Sequence, residues 1–286
     1  MAIRLNPLSL SAASRSGDVL ARLLGKARPL VMGVLNVTPD SFSDGGRFLD
    51  PAAAIAQARR LAAEGADIID VGAESTRPYG GAVRISAEDE RARLEPVLPD
   101  VIALGVPLSI DTLKAPIAAW ALDLGAAIVN DVWGLQGDPD MARTVADYDA
   151  PVVIMHNRES ADPAIDIVKD VSDFFRRSLD IAARAGIRRE RIVLDPGIGF
   201  GKTPEQSLTS IARLDVWRQF GLPLLIGASR KRFIHSVTPS DPMERLGGSL
   251  AAHLFAIENG AAIVRVHDVA PTVQALAVSA AIRRAR

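Results

Sequence analysis

The chain has 286 residues, 48% of them hydrophobic, with 33 basic and 34 acidic side chains, four histidines and no cysteine. This length suits either two modest domains or one α/β barrel. The charge balance excludes the basic face that a nucleic-acid or membrane-surface partner needs, and the missing thiols exclude disulfides, thiolate metal sites and cysteine nucleophiles. A reducing cytoplasm suits such a chain, and no apolar run approaches the roughly 20 residues that span a bilayer.

Residues 1–28 carry Arg4, Arg15, Arg22, Lys26 and Arg28 among several serines but no continuous apolar stretch. They read as an N-terminal extension whose helix, about Gly17 to Leu24, packs under the barrel domain of residues 29–286. Beyond it one junction recurs, in which a helix ends at glycine and a short apolar run follows at once. It reads LGKARPLVMGVLNV, EGADIIDVGAES, LGVPLSIDT, LGAAIVND, AGIRRERIVLDPG, FGLPLLIGAS and NGAAIVRVHD. Gly25, Gly65, Gly105, Gly125, Gly186, Gly221 and Gly260 fall where a helix takes a left-handed residue past its end. An eighth run, Pro151 to Met155, lacks the glycine.

The runs are apolar throughout rather than alternating, as expected of parallel strands covered on both faces. Helices are expected at about 51–64, 86–104, 114–124, 138–147, 169–185, 205–220, 242–259 and 271–285. Eight βα units in one chain predict a single α/β domain, a (β/α)8 or TIM barrel; an open doubly wound sheet is the competitor.

In such a barrel the chemistry lies at the C-terminal ends of the strands. Those ends are polar here: Asn36, Asp70, Asp111, Asn130 with Asp131, His156 with Asn157, Asp195, Ser229-Arg230-Lys231, and Arg265 with His267. Asp70 and Asp131 could equally be structural caps. Asp111, Asn130 and Asp195 suit a planar ring with adjacent N–H donors, because a carboxylate accepts two parallel hydrogen bonds. Arg265 and His267, two apart on one strand, suit an anion such as phosphate. The Gly197–Thr203 run fails as a phosphate loop because Pro196 stands where glycine is required, and it reads as a glycine-rich turn. No cluster has zinc spacing, His235 and His253 read as structural, and a Mg²⁺ ion held mainly by ligand phosphate remains compatible.

The motifs MGVLNVTPDSFSDGG (32–46), DVGAESTRP (70–78), SIDT (109–112), IVNDV (128–132), VIMH (153–156), LDPGIGFGKT (194–203), IGASRK (226–231), GGSLAA (247–252) and VRVHDV (264–269) occur in the order seen in the dihydropteroate synthase family, which the chain resembles from about Leu30 onward. The resemblance implies that p-aminobenzoate attacks 6-hydroxymethyl-7,8-dihydropterin diphosphate in an SN1-like reaction, with Mg²⁺, in a homodimer. It implies that Asp111, Asn130, Asp195 and Lys231 bind the pterin edge and Met155 its face. Asn36, Arg265 and His267 would hold the diphosphate, with the metal near Asn36. Thr76, Arg77, Pro78, Phe200 and Ser229, together with Lys231, would hold p-aminobenzoate. The loop 37–46 would close as a lid, with Phe42 walling the arylamine pocket and Asp44 near the metal or developing cation.

The chain departs from the family pattern at Tyr79-Gly80-Gly81-Ala82, at Asn157 and at Ser207. Two alternatives share part of these features: a methyltetrahydrofolate-type methyltransferase domain, which needs no diphosphate site, and a non-catalytic pterin-binding paralogue.

Overall fold

A strand in which nearly every side chain is apolar must be covered on both sides, and eight of them can meet that demand by closing into a ring. The computed structural model describes residues 19–38, 50–74 and 84–285. Its strands are β1 (Leu30–Asn36), β2 (Ile68–Gly72), β3 (Leu108–Asp111), β4 (Ile128–Asp131), β5 (Val152–Met155), β6 (Ile192–Asp195), β7 (Leu224–Ile226) and β8 (Ala261–Val266). Each pairs in parallel with the next, and β8 returns to β1, closing the barrel. The expected (β/α)8 fold is therefore present.

Around the ring lie α1 (Val19–Leu24), α2 (Pro51–Ala63), α3 (Ala87–Leu94), α4 (Leu98–Ile102), α5 (Ala115–Leu124), α6 (Met141–Asp147), α7 (Ile167–Ala185), α8 (Pro204–Ala212), α9 (Arg232–Val237), α10 (Leu246–Glu258) and α11 (Val269–Arg284). Local chemistry sets their ends. Asp50 caps α2 by accepting from the Ala52 amide at 2.9 Å, with Pro51 in the first turn. Asp166 caps α7 through the amides of Val168 and Lys169, and Gly186 closes that helix in the left-handed conformation.

Three helix expectations need correction. The span 86–104 is two helices, because Pro96 has no N–H to donate and its ring obstructs the preceding turn. The span 205–220 is α8 followed by a 3-10 turn over Leu214–Phe220, and α10 begins only at Leu246, after a 3-10 turn over Pro242–Glu244. The helix α9 was not expected at all. Of the seven glycines, Gly25 alone does not take the left-handed conformation.

Two apolar layers result. Outward-facing residues such as Val71, Ile110, Val129, Ile154 and Leu194 pack against the helices together with Leu61, Leu98, Phe175 and Trp217. Inside the ring, Leu30, Met32, Ile68, Ile128, Val153, Val193, Leu225 and Ile263 fill the N-terminal half, and Val19, Leu20 and Leu23 of α1 close it from below. The expected lead-in helix thus forms the floor of the barrel over Val19–Leu24. Asp67 fastens it: this buried carboxylate accepts from Lys26 at 2.5 Å, from Arg28 at 2.7 and 2.8 Å, and from the Val31 amide. Burial alone would raise its pKa, but these donors hold it below the ordinary carboxylate value.

Candidate active site

Side chains on a strand alternate, so residues two apart share a face. Moving up the inside of the barrel by that step turns the apolar filling into a polar group. Asp70, Ser109, Asp111, Asn130 and Asp195 are all buried there. Arg265 on β8 ties three strands together. Its Nε donates to Asp70 Oδ2 at 2.6 Å and its Nη2 to Asp111 Oδ2 at 2.8 Å. The Asn130 amide also donates to Asp70 Oδ2, at 3.1 Å. The second oxygens of both carboxylates, and the Ser109 hydroxyl, are buried with no hydrogen-bond partner among the described residues.

The electrostatics follow from this burial. Desolvation pushes Asp111 up to about 7; Arg265 opposes the shift and Asp70 reinforces it. Asp195 is also raised by burial, against the opposing charge of Lys231. Burial lowers Lys231 to about 7, and Asp195 opposes it. Burial would lower Arg265 too, but Asp70 and Asp111 more than offset that, so it stays charged. Asp131, pushed by burial to about 6, accepts from the amides of Trp133 and Leu135 and so organises the turn after β4, a structural role.

The other predicted residues that are described make contacts of their own. Lys231 donates to the Ile198 carbonyl, and its ammonium lies 4.5 Å from the centre of the Phe200 ring. Met155, Val132 and Phe200 form a small apolar cluster joined by Leu113 and Trp133. The Asp195 carboxylate accepts from the Gly197 amide at 2.7 Å. Ser229 Oγ and His267 Nδ1 are 3.0 Å apart. Asn36 ends β1 in register with Gly72. Phe42, Asp44, Thr76, Arg77, Pro78 and Tyr79–Ala82 lie outside the described residues.

The turn between Asp195 and Thr203 confirms the glycine-rich reading and shows its cause. A Cβ on Gly197, whose φ is +65°, would sit 1.9 Å from the His156 carbonyl oxygen, and one on Gly201 would sit 2.3 Å from Arg158 Cβ. Only glycine lets this turn lie directly on the chain that leaves β5. The Asn157 side chain turns back to accept from the Arg158 amide, and Ser207 donates to the Thr203 carbonyl. Neither departure reaches the polar group.

Several members were not singled out as functional from the sequence. Asp70 was left open between two roles, yet it holds the guanidinium expected to meet an anion. Glu90 on α3 is fully buried and binds Lys114 at 2.6 Å, and Lys114 also binds Glu74. A polar helix such as α3 gives no periodic sign of such a residue. His253 is buried and accepts from the Ala228 amide, and His235 pairs with Ser240, so both are structural.

A barrel whose mouth offers buried carboxylates beside fixed cations defines a class, the enzymes that hold a planar heterocycle with an acidic group attached. Residues 32–267 match the family described as pterin binding enzyme. The chain is 44% identical to the dihydropteroate synthase of Bacillus subtilis over 245 residues, 85% of either chain. It also resembles solved dihydropteroate synthases of Xanthomonas albilineans. One, with 4-aminobenzoic acid, is 44% identical with a TM-score of 0.85 over 90% of this chain and 94% of that one. Another, in complex with 7,8-dihydropteroate, is 42% identical with a TM-score of 0.82 over the same shares. The chain belongs to the pterin binding enzyme family, in its dihydropteroate synthase branch.

Proposed function

We propose that the barrel condenses 6-hydroxymethyl-7,8-dihydropterin diphosphate with p-aminobenzoate, giving 7,8-dihydropteroate and diphosphate. As a dihydropteroate synthase the chain is a transferase of folate biosynthesis. The observation that carries the residue assignment is the pair of buried carboxylate oxygens, on Asp70 and Asp111, that have no hydrogen-bond partner among the described residues. A buried acceptor without a donor is destabilising, and a ring edge bearing N–H groups would supply the donor.

In this reading Asp111, Asn130, Asp195 and Lys231 take the edges of the pterin ring and Met155 one face. Loss of diphosphate is the hard step: the bond from the methylene carbon to oxygen breaks, and both electrons leave with the diphosphate. Arg265 and His267 stabilise that charge as it develops. An ionised Asp111 favours the positive charge left on the ring and methylene. The arylamine, placed by Phe200 and Ser229 with Thr76, Arg77 and Pro78, then forms the C–N bond and releases a proton to water. Phe42 and Asp44 complete the enclosure.

The site also suits Mg²⁺. Asn36 offers a hard amide oxygen, and among the described residues no group of three or more His, Asp or Glu forms a metal cage. That donor set fits an ion carried chiefly by the diphosphate, whose charge it would neutralise when bound. A homodimer is supported by the groove between α10 and α11, lined by Leu246, Leu250, Leu254, Val278 and Ile282, where Val278 and Ile282 are 54% and 60% exposed. No helix among the described residues is long and apolar enough to cross a membrane, and a cytoplasmic location suits a chain without cysteine.

Incubation with the dihydropterin diphosphate, p-aminobenzoate and Mg²⁺ should release diphosphate and form dihydropteroate in equal amounts. Pterin binding without release would leave a non-catalytic pterin-binding protein instead.

A further inference from the structure

One charged cluster lies next to the groups assigned above without belonging to them. Lys202 follows the glycine-rich turn and is wholly buried, 0% exposed. Its Nζ donates to the carbonyls of Gly197 at 2.9 Å and Phe200 at 3.1 Å and meets His156 Nδ1 at 2.6 Å. An ammonium has three protons, and three acceptors are in place. On its far side His156 Nε2 meets Asp170 Oδ2 at 3.0 Å, which also accepts from Arg158 Nη1 at 3.1 Å. The tautomer follows: Nδ1 accepts from the ammonium, so Nε2 carries the proton given to Asp170.

Placing a lysine here is unfavourable on its own. Burial drives Lys202 well below its ordinary pKa; Asp195 opposes the shift, and Lys231 adds to it. A methionine would fill the same space with no charge to desolvate. What the lysine adds is a grip on two backbone oxygens. Those oxygens bracket the short segment whose Ile198 carbonyl accepts from Lys231 and whose Phe200 ring lies beneath the Lys231 ammonium. The Phe200 amide donates to the Gly197 carbonyl as well, so one ammonium binds both ends of the turn.

We propose that Lys202, anchored through His156 to Asp170, is a positioning residue for the arylamine half of the reaction: it fixes the 197–200 turn, and so the Phe200 ring, against the incoming p-aminobenzoate. Lys202 touches neither substrate in this arrangement. The inference rests on the synthase reading above and adds to it a buried Lys–His–Asp chain behind the site.

The test is steady-state kinetics of the full chain with both substrates varied. Lys202→Met should raise KM for p-aminobenzoate about tenfold or more, since small displacements of a positioned group weaken its action steeply, while KM for the dihydropterin diphosphate stays within about threefold. His156→Asn keeps an acceptor near the Nδ1 position and should stay closer to the unaltered protein than His156→Leu. Asp170 is a third exposed on α7, so Asp170→Asn provides a variant that folds if Lys202→Met does not; it should raise the arylamine KM alone, by about two- to fivefold. Equal losses for the two substrates, or an arylamine KM unmoved in every folded variant, would overturn the proposal. Absence of turnover by the unaltered protein would instead remove the synthase reading, and this inference with it.

Discussion

The two ends of the barrel are built from the same eight strands and do opposite things. Below, Ile68, Ile128, Val193 and Ile263 belong to an apolar floor closed by α1. One inward-facing step higher on the same strands stand Asp70, Asn130, Asp195 and Arg265, all within the polar group or beside it. A step of two residues along a strand is about 7 Å. The boundary between the part that stabilises the protein and the part proposed to do chemistry is therefore a single layer of side chains. It need not be spread over separate domains, because alternation along a strand already delivers both kinds of residue to the same interior.

Substitutions at the two ends should act with opposite sign. At the open end, Lys231→Met removes a charge that burial disfavours. Turnover should fall by about two to three orders of magnitude. The melting temperature should hold or rise, because the ammonium was held there against its desolvation. At the floor, Leu225→Ala should remove about 3 kcal/mol of stability, as large-to-small changes in a filled core do. Its turnover, measured well below the melting temperature, should stay near that of the unaltered protein. A floor variant that loses activity without losing stability would show the two layers to be coupled.

Acid should separate the two ends next. Burial pushes His156 and His253 down to about 4, from an ordinary value of 6.5. Between those values the unfolded chain binds more protons than the native one, so their contribution is fully present above pH 6.5 and is lost as the pH falls through 4. At about 1.36 kcal/mol per pKa unit the loss should reach roughly 3 kcal/mol for each histidine over that window. Both histidines belong to the open half of the molecule, whereas Asp67, which fastens the floor, is held below the ordinary carboxylate value and so titrates only in stronger acid. Hydrogen exchange on acidification should therefore quicken around residues 153–158 and 228–253 before it quickens at β1 and α1. The smallest effect is local: Asp166→Ala should lower stability by about 1 kcal/mol through the lost cap of α7, and because Asp170 stands in the same first turn, any rise in the arylamine KM should stay below that of Asp170→Asn.

What the sequence made legible follows the same layering. All eight strands could be found because both of their faces are apolar, and the polar strand ends could be placed because a period of two survives any detail of the helices. The break of the expected helix 86–104 at Pro96 was visible only as a proline, because the polar segment Ala87–Leu94 shows no apolar period that could mark where the first helix stops. The partners of Arg265 were hidden for a different reason. They are 195 and 154 residues away along the chain, and only closure of β8 onto β1 brings them together. Lys202 was hidden because a lysine in a glycine-rich turn reads as solvated, whereas its burial depends on how closely Gly197 and Gly201 approach residues 156–158. The positions assigned by resemblance to the loops at 37–46 and 76–78, namely Phe42, Asp44, Thr76, Arg77 and Pro78, fall outside the described residues.

The floor made by Val19, Leu20 and Leu23 has a consequence for traffic. A vessel sealed at its base has one doorway, and both substrates and both products must use it. Whatever occupies the deepest berth, beside Asp111 and Asn130, must arrive before anything settles nearer the rim, and it must leave after the rim has cleared. The way in is thus fixed by the apolar filling of the strands and by a helix that lies on the opposite side of the barrel from the polar group.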